Sequence, residues 1–293
     1  MACNRVQASL AGTPLNIPDS VHDDVARALA EDVGTGDLSA AAIPADRRER
    51  ARVVARAAGV VCGGPWFDEV FLQVDPDITV AWHVADGTRV APDDVLCELD
   101  GPARGLFTAE RTALNFLQLL SGVATATRAY VDAVTATGAV ILDTRKTLPG
   151  LRAAEKYAVA CGGGHNHRVG LFDAAMLKEN HIHAAGGIAA AVAAVRAAHP
   201  DAALTVEVES LAQLREALAA GAEHLLLDNF DPDGLREAVA ETGGRARLEA
   251  SGGVDLATVR AVAATGVDAI SVGALTKDVR ALDLSLRFSG APG

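Results

Sequence analysis

Aromatic residues make up only 4% of this 293-residue chain, although half of its residues are apolar. Alanine supplies much of that half, so packing has to rely on close helix–sheet contact more than on large rings. Cysteine is scarce: Cys3, Cys62, Cys97 and Cys161 are scattered with no C-x-x-C spacing. They read as reduced, mostly buried thiols of a cytoplasmic protein. Positive charge is in deficit. A net charge of −12 argues against nucleic acid or an anionic membrane as the main partner. No apolar run reaches transmembrane length without interruption, since the charge-free stretch 112–127 carries Asn115, Gln118 and Ser121. The first residues, with Arg5 followed by Pro14 and Pro18, lack the apolar core of a signal peptide. No internal repeat or low-complexity linker is visible.

What the second half does have is six short apolar runs, 139–143, 174–178, 204–207, 224–228, 247–251 and 268–273, each ending in a polar residue or glycine. The terminal residues are Asp143/Thr144/Arg145, Lys178, Glu207, Asp228, Ser251 and Gly273. Ala-rich stretches of helical period, such as 211–220, 234–241 and 256–265, separate most of the runs. Alternating strands and helices imply parallel βαβ units. In barrels of such units the active site sits at the carboxyl ends of the strands, so a charge closing each strand is expected of an enzyme pocket.

The first hundred residues differ. Valine-rich, strand-like stretches at 50–61 and 79–84 are broken by Gly63, Gly64 and Pro65. Residues 84–101 read as an antiparallel meander with turns at Asp86-Gly87 and Asp93-Asp94. Ahead of it, Asp19-Ser20 is placed to cap a helix over 21–31 that stops at Gly34. An N-terminal α+β sandwich domain is therefore expected over 1–115, with 281–293 returning to it as an added strand. A long helix at about 108–137 leads into an α/β barrel domain over 116–280.

The densest chemistry lies in 143–183, which holds Arg145, Lys146, Arg152, Lys156, Arg168 and Lys178 with His165, His167, His181 and His183. Only four of the 26 basic residues are lysines, and three of those four fall in this window. A chain that otherwise uses arginine evidently needs a compact ammonium there. Lys178 closes an apolar strand and is read as functional, whereas Glu155-Lys156 is read as a solvated or structural pair within a helix. Converging cations suit a ligand with several anionic groups, because arginine pairs bidentately with carboxylate or phosphate. Glu207 and Asp228 beside them suggest a Mg²⁺-phosphate ligand or ribose hydroxyls. Ser251-Gly252-Gly253 and Val272-Gly273-Ala274 follow the last two strands, where glycines let backbone N–H groups approach a phosphate. Two other features are weighed against these. The His-x-His pairs could bind zinc, but surrounding positive charge opposes a dication and no further ligand is suitably spaced. Gly162-Gly163-Gly164 lacks the flanking pattern of a phosphate loop and is read as a flexible connector.

Several motifs together resemble the quinolinate phosphoribosyltransferases. They are Glu31-Asp32-Val33-Gly34-x-Gly36-Asp37, Glu110-Arg111-Thr112-Ala113-Leu114-Asn115, Leu142-Asp143-Thr144-Arg145-Lys146-Thr147, Gly163-Gly164-His165-Asn166-His167-Arg168 and Leu177-Lys178-Glu179-Asn180-His181. The match continues through Val206-Glu207-Val208-Glu209, Leu227-Asp228-Asn229, Ser251-Gly252-Gly253 and Val272-Gly273-Ala274-Leu275-Thr276. The resemblance implies an incomplete barrel of about six strands and conversion of quinolinate and phosphoribosyl pyrophosphate to nicotinate mononucleotide, pyrophosphate and CO₂ with Mg²⁺. It implies a homodimer or dimer-built oligomer in which Arg111 enters the neighbouring subunit's site. Arg145, His167, Arg168 and Lys178 would surround the two carboxylates, with Thr144 and Lys146 beside them and Lys146 facing pyrophosphate. Glu207 and Asp228 would face ribose and Mg²⁺, and Ser251, Gly252, Gly253, Val272, Gly273 and Ala274 the 5′-phosphate. Lys146, Lys178, Glu207 and Asp228 form the expected catalytic set. A related pyrophosphorylase, a Schiff-base lyase using Lys178, and a non-catalytic phosphate-binding barrel are the competing readings.

Overall fold

The computed structural model describes residues 15–289; Cys3, Arg5, Pro14 and residues 290–293 lie outside the described residues. By internal contacts the chain divides into two units. The first takes the described chain up to Arg128, then Leu148–Gly163, then the chain from Asp278; the second takes Ala129–Thr147 and Gly164–Lys277.

The first unit begins with α1 (Val21–Asp32), whose acidic first turn, Asp23 and Asp24, suits the positive end of the helix dipole. Ser20 does not cap a backbone N–H as expected. Its hydroxyl instead donates to Asp24 Oδ2 at 3.0 Å, and that buried carboxylate also accepts from Trp66 Nε1 at 3.2 Å. Next come β1 (Arg48–Ala55), β2 (Gly59–Val60), α2 (Gly64–Val74), β3 (Thr79–Trp82), β4 (Arg89–Val90), β5 (Val95–Pro102) and α3 (Ala103–Val134). The meander expected over 84–101 is not one ladder. The two-residue β4 pairs with β2, while β3 pairs antiparallel with β5. Asp86 explains the diversion: its carboxylate accepts from Gly63 N and Gly64 N at 3.1 and 3.2 Å, tying the turn to the start of α2. That start is the second departure, because Pro65 occupies the first turn of a helix rather than a plain break. Phe67 of α2 meets Trp82 of β3 with ring centroids 5.3 Å apart, so the helix layer packs on the antiparallel sheet.

Helix α3 starts at Ala103, ahead of the expected Thr108, and runs for 32 residues across the division after Arg128. Gly105 inside it answers to packing, since a Cβ there would stand 2.8 Å from Asp75 Cβ. Strand β6 (Val140–Leu142) is the first strand of the second unit, and α4 (Arg152–Cys161) belongs to the first unit. Glu155 and Lys156 on α4 are buried rather than solvated, with Glu155 Oε2 accepting Leu148 N–H at 3.0 Å. The glycines that follow are not a loose connector either. A Cβ on Gly162 would lie 2.6 Å from both Ala124 O and Thr127 Cβ, so this position lets α4 approach α3. Gly163, at φ +86°, takes the left-handed turn after the helix.

The remaining elements alternate: β7 (Ala174–Leu177), α5 (Glu179–Ala185), α6 (Ile188–Ala198), β8 (Ala203–Val208), α7 (Leu211–Ala219), β9 (His224–Asp228), α8 (Pro232–Thr242), β10 (Arg247–Ser251), α9 (Val259–Ala263), β11 (Ala269–Ser271) and α10 (Ala274–Lys277). All six strands run parallel in the order β6-β11-β10-β9-β8-β7. They are apolar through their middles, Leu225, Leu226 and Leu227 being buried in succession, as strands covered on both faces require. Helix starts are cued by sequence: Ser210 Oγ accepts Gln213 N–H at the head of α7, and Asp231 Oδ1 accepts Gly234 N–H ahead of Pro232 in α8. The largest fully buried side chains here are Ile141, Ile188, Leu214 and Leu225, whereas the first unit concentrates the rings Trp66, Phe67 and Phe71. The last strand, β12 (Leu284–Phe288), pairs antiparallel with β1. The architecture is the incomplete six-stranded α/β barrel with a separate antiparallel α+β domain that the sequence implies.

Candidate active site

Every strand of the parallel sheet delivers a residue to one cavity of about 390 Å³ at its carboxyl end. Thr144, Arg145 and Lys146 enter just beyond β6, His167 and Arg168 from the loop before β7, and Met176 and Lys178 from the end of β7. Glu207 comes from β8, Leu226 and Asp228 from β9, Glu249 and Ser251 from β10, and Ser271 from β11. Side chains two residues apart share a face of a strand, which is why Leu226 and Asp228, or Glu249 and Ser251, arrive together.

The cations are held by local contacts. Thr144 Oγ1 accepts Lys146 N–H at 3.0 Å, and Thr276 Oγ1 donates to Lys146 O at 2.8 Å. Arg168 Nη1 donates to Ala174 O at 3.1 Å; burial, and then the nearby Arg145, lowers its guanidinium from its ordinary value. The fully buried Asp143 accepts His167 N–H at 2.7 Å, which pins the loop to the end of β6. On the opposite wall Lys178 Nζ stands 2.6 Å from Glu207 Oε2, and Asp228 Oδ2 accepts from Asn229 Nδ2 at 2.8 Å. Four cations beside three carboxylates, Glu207, Asp228 and the buried Glu249, in one concavity, can bind several anionic groups while leaving negative charge near a developing cation.

Of the expected site residues, Thr144, Arg145, Lys146, His167, Arg168, Lys178, Glu207, Asp228 and Ser251 line this cavity. Gly252, Gly253, Val272, Gly273 and Ala274 do not line it; the first four follow the ends of β10 and β11, and Ala274 opens α10. Gly252 (φ +99°) leaves room for Asn229, since a Cβ there would stand 2.1 Å from Asn229 Oδ1. A Cβ on Gly273 would lie 3.1 Å from Lys146 Cδ. Val272 is buried and donates its N–H to Leu142 O, so only its backbone is near the rim. Arg111 is exposed on α3 in the first unit, whereas all lining residues belong to the second.

Sequence reasoning missed Glu249, His224 and Ser271. Glu249 is fully buried, with Ser271 Oγ donating to Oε1, and His167 Nε2 and His224 Nε2 at 3.3 and 2.9 Å from Oε2. Burial alone would raise this carboxyl, but the two imidazoles outweigh it and hold it well below the carboxylate range. Its signal was an ionisable residue in mid-strand, two positions before Ser251 and hence on the same face.

A parallel βα sheet with cations and paired carboxylates at its carboxyl edge defines a barrel enzyme for multiply anionic substrates. The sequence profile for "Quinolinate phosphoribosyl transferase, N-terminal domain" matches residues 34–121, and that for the C-terminal domain matches 123–287. The chain belongs to the quinolinate phosphoribosyltransferase family. It is 47% identical over 277 residues to the nicotinate-nucleotide pyrophosphorylase [carboxylating] of Mycobacterium leprae, covering 92% of this chain and 97% of that one. It is 44% identical over 257 residues to the probable enzyme of that name from Bacillus subtilis, with 87% and 89% covered. The solved nicotinate-nucleotide pyrophosphorylase of Francisella tularensis superposes with a TM-score of 0.91 at 44% identity, covering 94% of this chain and 98% of that chain.

Proposed function

We propose that this protein is a quinolinate phosphoribosyltransferase of NAD biosynthesis, a pentosyltransferase that converts quinolinate and phosphoribosyl pyrophosphate to nicotinate mononucleotide, pyrophosphate and CO₂. The observation that carries the reading is the single cavity in which Arg145, Lys146, Arg168 and Lys178 face Glu207 and Asp228. Arg145, Arg168 and Lys178, with His167 beside them, receive the two carboxylates, and Thr144 and Lys146 the pyrophosphate side. Ser251, Gly252, Gly253, Val272, Gly273 and Ala274 supply the 5′-phosphate turn. As pyrophosphate departs, positive charge grows on the ribose ring, and Glu207 and Asp228 are placed to stabilise it. Attack by the pyridine nitrogen is mainly a positioning task for the cations. The ribosylated ring nitrogen is cationic, so the adjacent carbon–carboxylate bond breaks with its electrons drawn into the ring. CO₂ leaves, and that carbon takes up a proton. Glu207 and Asp228 offer the oxygen donors Mg²⁺ prefers and would hold it, directly or through water. Bound there, the ion would neutralise charge on the leaving pyrophosphate.

The working unit in this reading is a homodimer or dimer-built assembly in which Arg111 completes a partner's pocket, as the family motif around it suggests. Its place is the cytoplasm: Cys62, Cys97 and Cys161 are free and buried. No single helix among the described residues is long and apolar enough to cross a membrane. A Schiff-base lyase is disfavoured because Lys178 Nζ is engaged by Glu207 Oε2 at 2.6 Å rather than left to meet a substrate carbonyl. The deciding experiment incubates the protein with phosphoribosyl pyrophosphate, Mg²⁺ and either quinolinate or nicotinate. Nicotinate mononucleotide formed from quinolinate, with CO₂, is the expected result; product from nicotinate alone would overturn it.

A further inference from the structure

Outside the cavity, one cluster of metal-ligating side chains has no part in the chemistry above. Cys62 stands just ahead of α2, Asp86 in the turn between β3 and β4, and Cys161 at the end of α4, all in the first unit. The two sulfurs and a carboxylate oxygen of Asp86 lie within 4.8 Å of one another. Both cysteines are buried, and both are free thiols. Three segments distant in sequence thus bring donors to one point. The hydrogen-bond partners of Asp86 are all neutral: Gly63 N–H at 3.1 Å and the Tyr157 hydroxyl at 2.9 Å on Oδ2, and Gly64 N–H at 3.2 Å on Oδ1. A carboxylate has about four lone-pair sites, so three bonds leave room for one more partner. Burial raises the Asp86 carboxyl despite those bonds, and burial, then the Cys161 thiol, pushes the Cys62 thiol well above its usual range. Groups that would each carry negative charge are crowded together here, and a dication among them reverses that penalty.

We propose that Cys62, Cys161 and Asp86 form a binding site for a thiophilic dication, zinc by the type of its ligands. Two sulfurs and one carboxylate oxygen suit Zn²⁺ and are foreign to Mg²⁺, which takes oxygen donors. Zinc bonds of about 2.3 Å to sulfur and about 2.0–2.2 Å to oxygen require only a small closing of the three side chains. Asp86 is part-exposed, so water takes the fourth tetrahedral position. On binding, each thiol gives its proton to solvent, and the thiolate sulfur donates an electron pair to the ion. Tyr157 and the two glycine N–H groups hold the carboxylate in place for it. The ion clasps the head of α2, the turn before β4 and the end of α4, so its effect is on the stability of the first unit. No step of the function proposed above passes through it.

The test uses the full-length protein with Cys3→Ser, which removes the cysteine outside the described residues. Produced with zinc and dialysed, it should carry about one zinc per chain and melt higher than its chelator-treated form. Produced with cobalt instead, it should show the charge-transfer absorption of a thiolate–Co(II) bond, a band that metal held by oxygen and nitrogen at the cavity does not give. Cys62→Ala and Cys161→Ala should each abolish that band, Asp86→Asn should leave a weaker band that a chelator removes, and Cys97→Ala should leave it unchanged. A metal-free protein, cobalt without the band, or a band unaltered in Cys62→Ala or Cys161→Ala would overturn the proposal. So would a disulfide between the two cysteines, found by mass spectrometry under non-reducing conditions. If the alanine variants do not fold, X-ray absorption on the zinc-loaded protein decides: two sulfurs in the zinc shell are expected, and a shell without sulfur refutes the site.

Discussion

The Lys178 ammonium and the Glu207 carboxylate, 2.6 Å apart, bridge the carboxyl ends of the adjacent strands β7 and β8. The pair sets one cation and one carboxylate of the cavity in direct contact. In the proposed function, a dianionic ligand drawn to Lys178 would compete with Glu207 for the ammonium and release that carboxylate toward the ribose. Glu207→Gln and Asp228→Asn are therefore expected to lower kcat by on the order of 100-fold while changing the quinolinate Kd little, since their charge matters most as the ribose becomes cationic. Steady-state kinetics with a parallel binding titration checks this. Normal turnover with lost quinolinate binding would reverse the assignment.

Arg145→Lys and Arg168→Lys keep the charge but lose the two-pronged donor. Quinolinate affinity should fall by about 1.5–3 kcal/mol in each, with phosphoribosyl pyrophosphate binding less affected. Calorimetric titration of both ligands separates the two effects, and unaltered quinolinate affinity in both variants sinks the assignment.

Two neighbouring glycines make an internal control. Gly252→Ala places a methyl 2.1 Å from Asn229 Oδ1, on the residue that donates to Asp228. Gly253 sits at φ +60° with nothing within 4 Å. Gly253→Ala should cost only about 1–2 kcal/mol of left-handed strain. Gly252→Ala should cost more and depress kcat as well. Equal melting temperatures and equal rates for the two variants would show that the close approach has no consequence.

Glu249 supplies a pH signature. Its carboxyl is held below its ordinary value of 4.5 in the fold, so the folded state favours the charged form. The stability it contributes is fully present above pH 4.5 and is lost as the pH falls below that. Wild type should melt higher than Glu249→Gln at pH 7, and the gap should close as the pH is lowered past 4.5. A gap independent of pH would mean the charge contributes nothing.

Arg111→Ala and Lys178→Ala are each expected to be inactive. Mixed after subunit exchange, they should recover about half of the wild-type sites per mixed dimer if the proposed two-fold shared interface exists, because it would leave one pocket with both lesions and one with neither. Verified exchange without recovery would confine Arg111 to its own subunit or to a structural role.

How legible the molecule was depends on where each residue stands in its element. Lys178, Glu207 and Asp228 could be read because each closes an apolar strand, where a charge has no packing explanation. Glu249 was overlooked because it lies inside such a strand, although the two-residue period from Ser251 marks its direction. The helix over Gly64–Val74 was hidden by its own opening, since Gly63-Gly64-Pro65 reads as a break unless proline is allowed in the first turn. Gly162 looked like slack in the chain. Its reason, that a Cβ there would stand 2.6 Å from Ala124 O, involves a partner distant in sequence, and local spacing carries no trace of that.

The first unit is assembled from three separate stretches of chain, and Phe288 pairs with Ala51 across nearly the whole sequence. During synthesis β1 therefore has one edge that waits until every strand of the second unit has left the ribosome. Such long-range pairing folds slowly and leaves an unpaired strand edge open to other chains in the interval. The charges spread along β1, Arg48, Glu49, Arg50 and Arg52, are suited to keep that edge from annealing to the wrong partner before Leu284–Phe288 arrives.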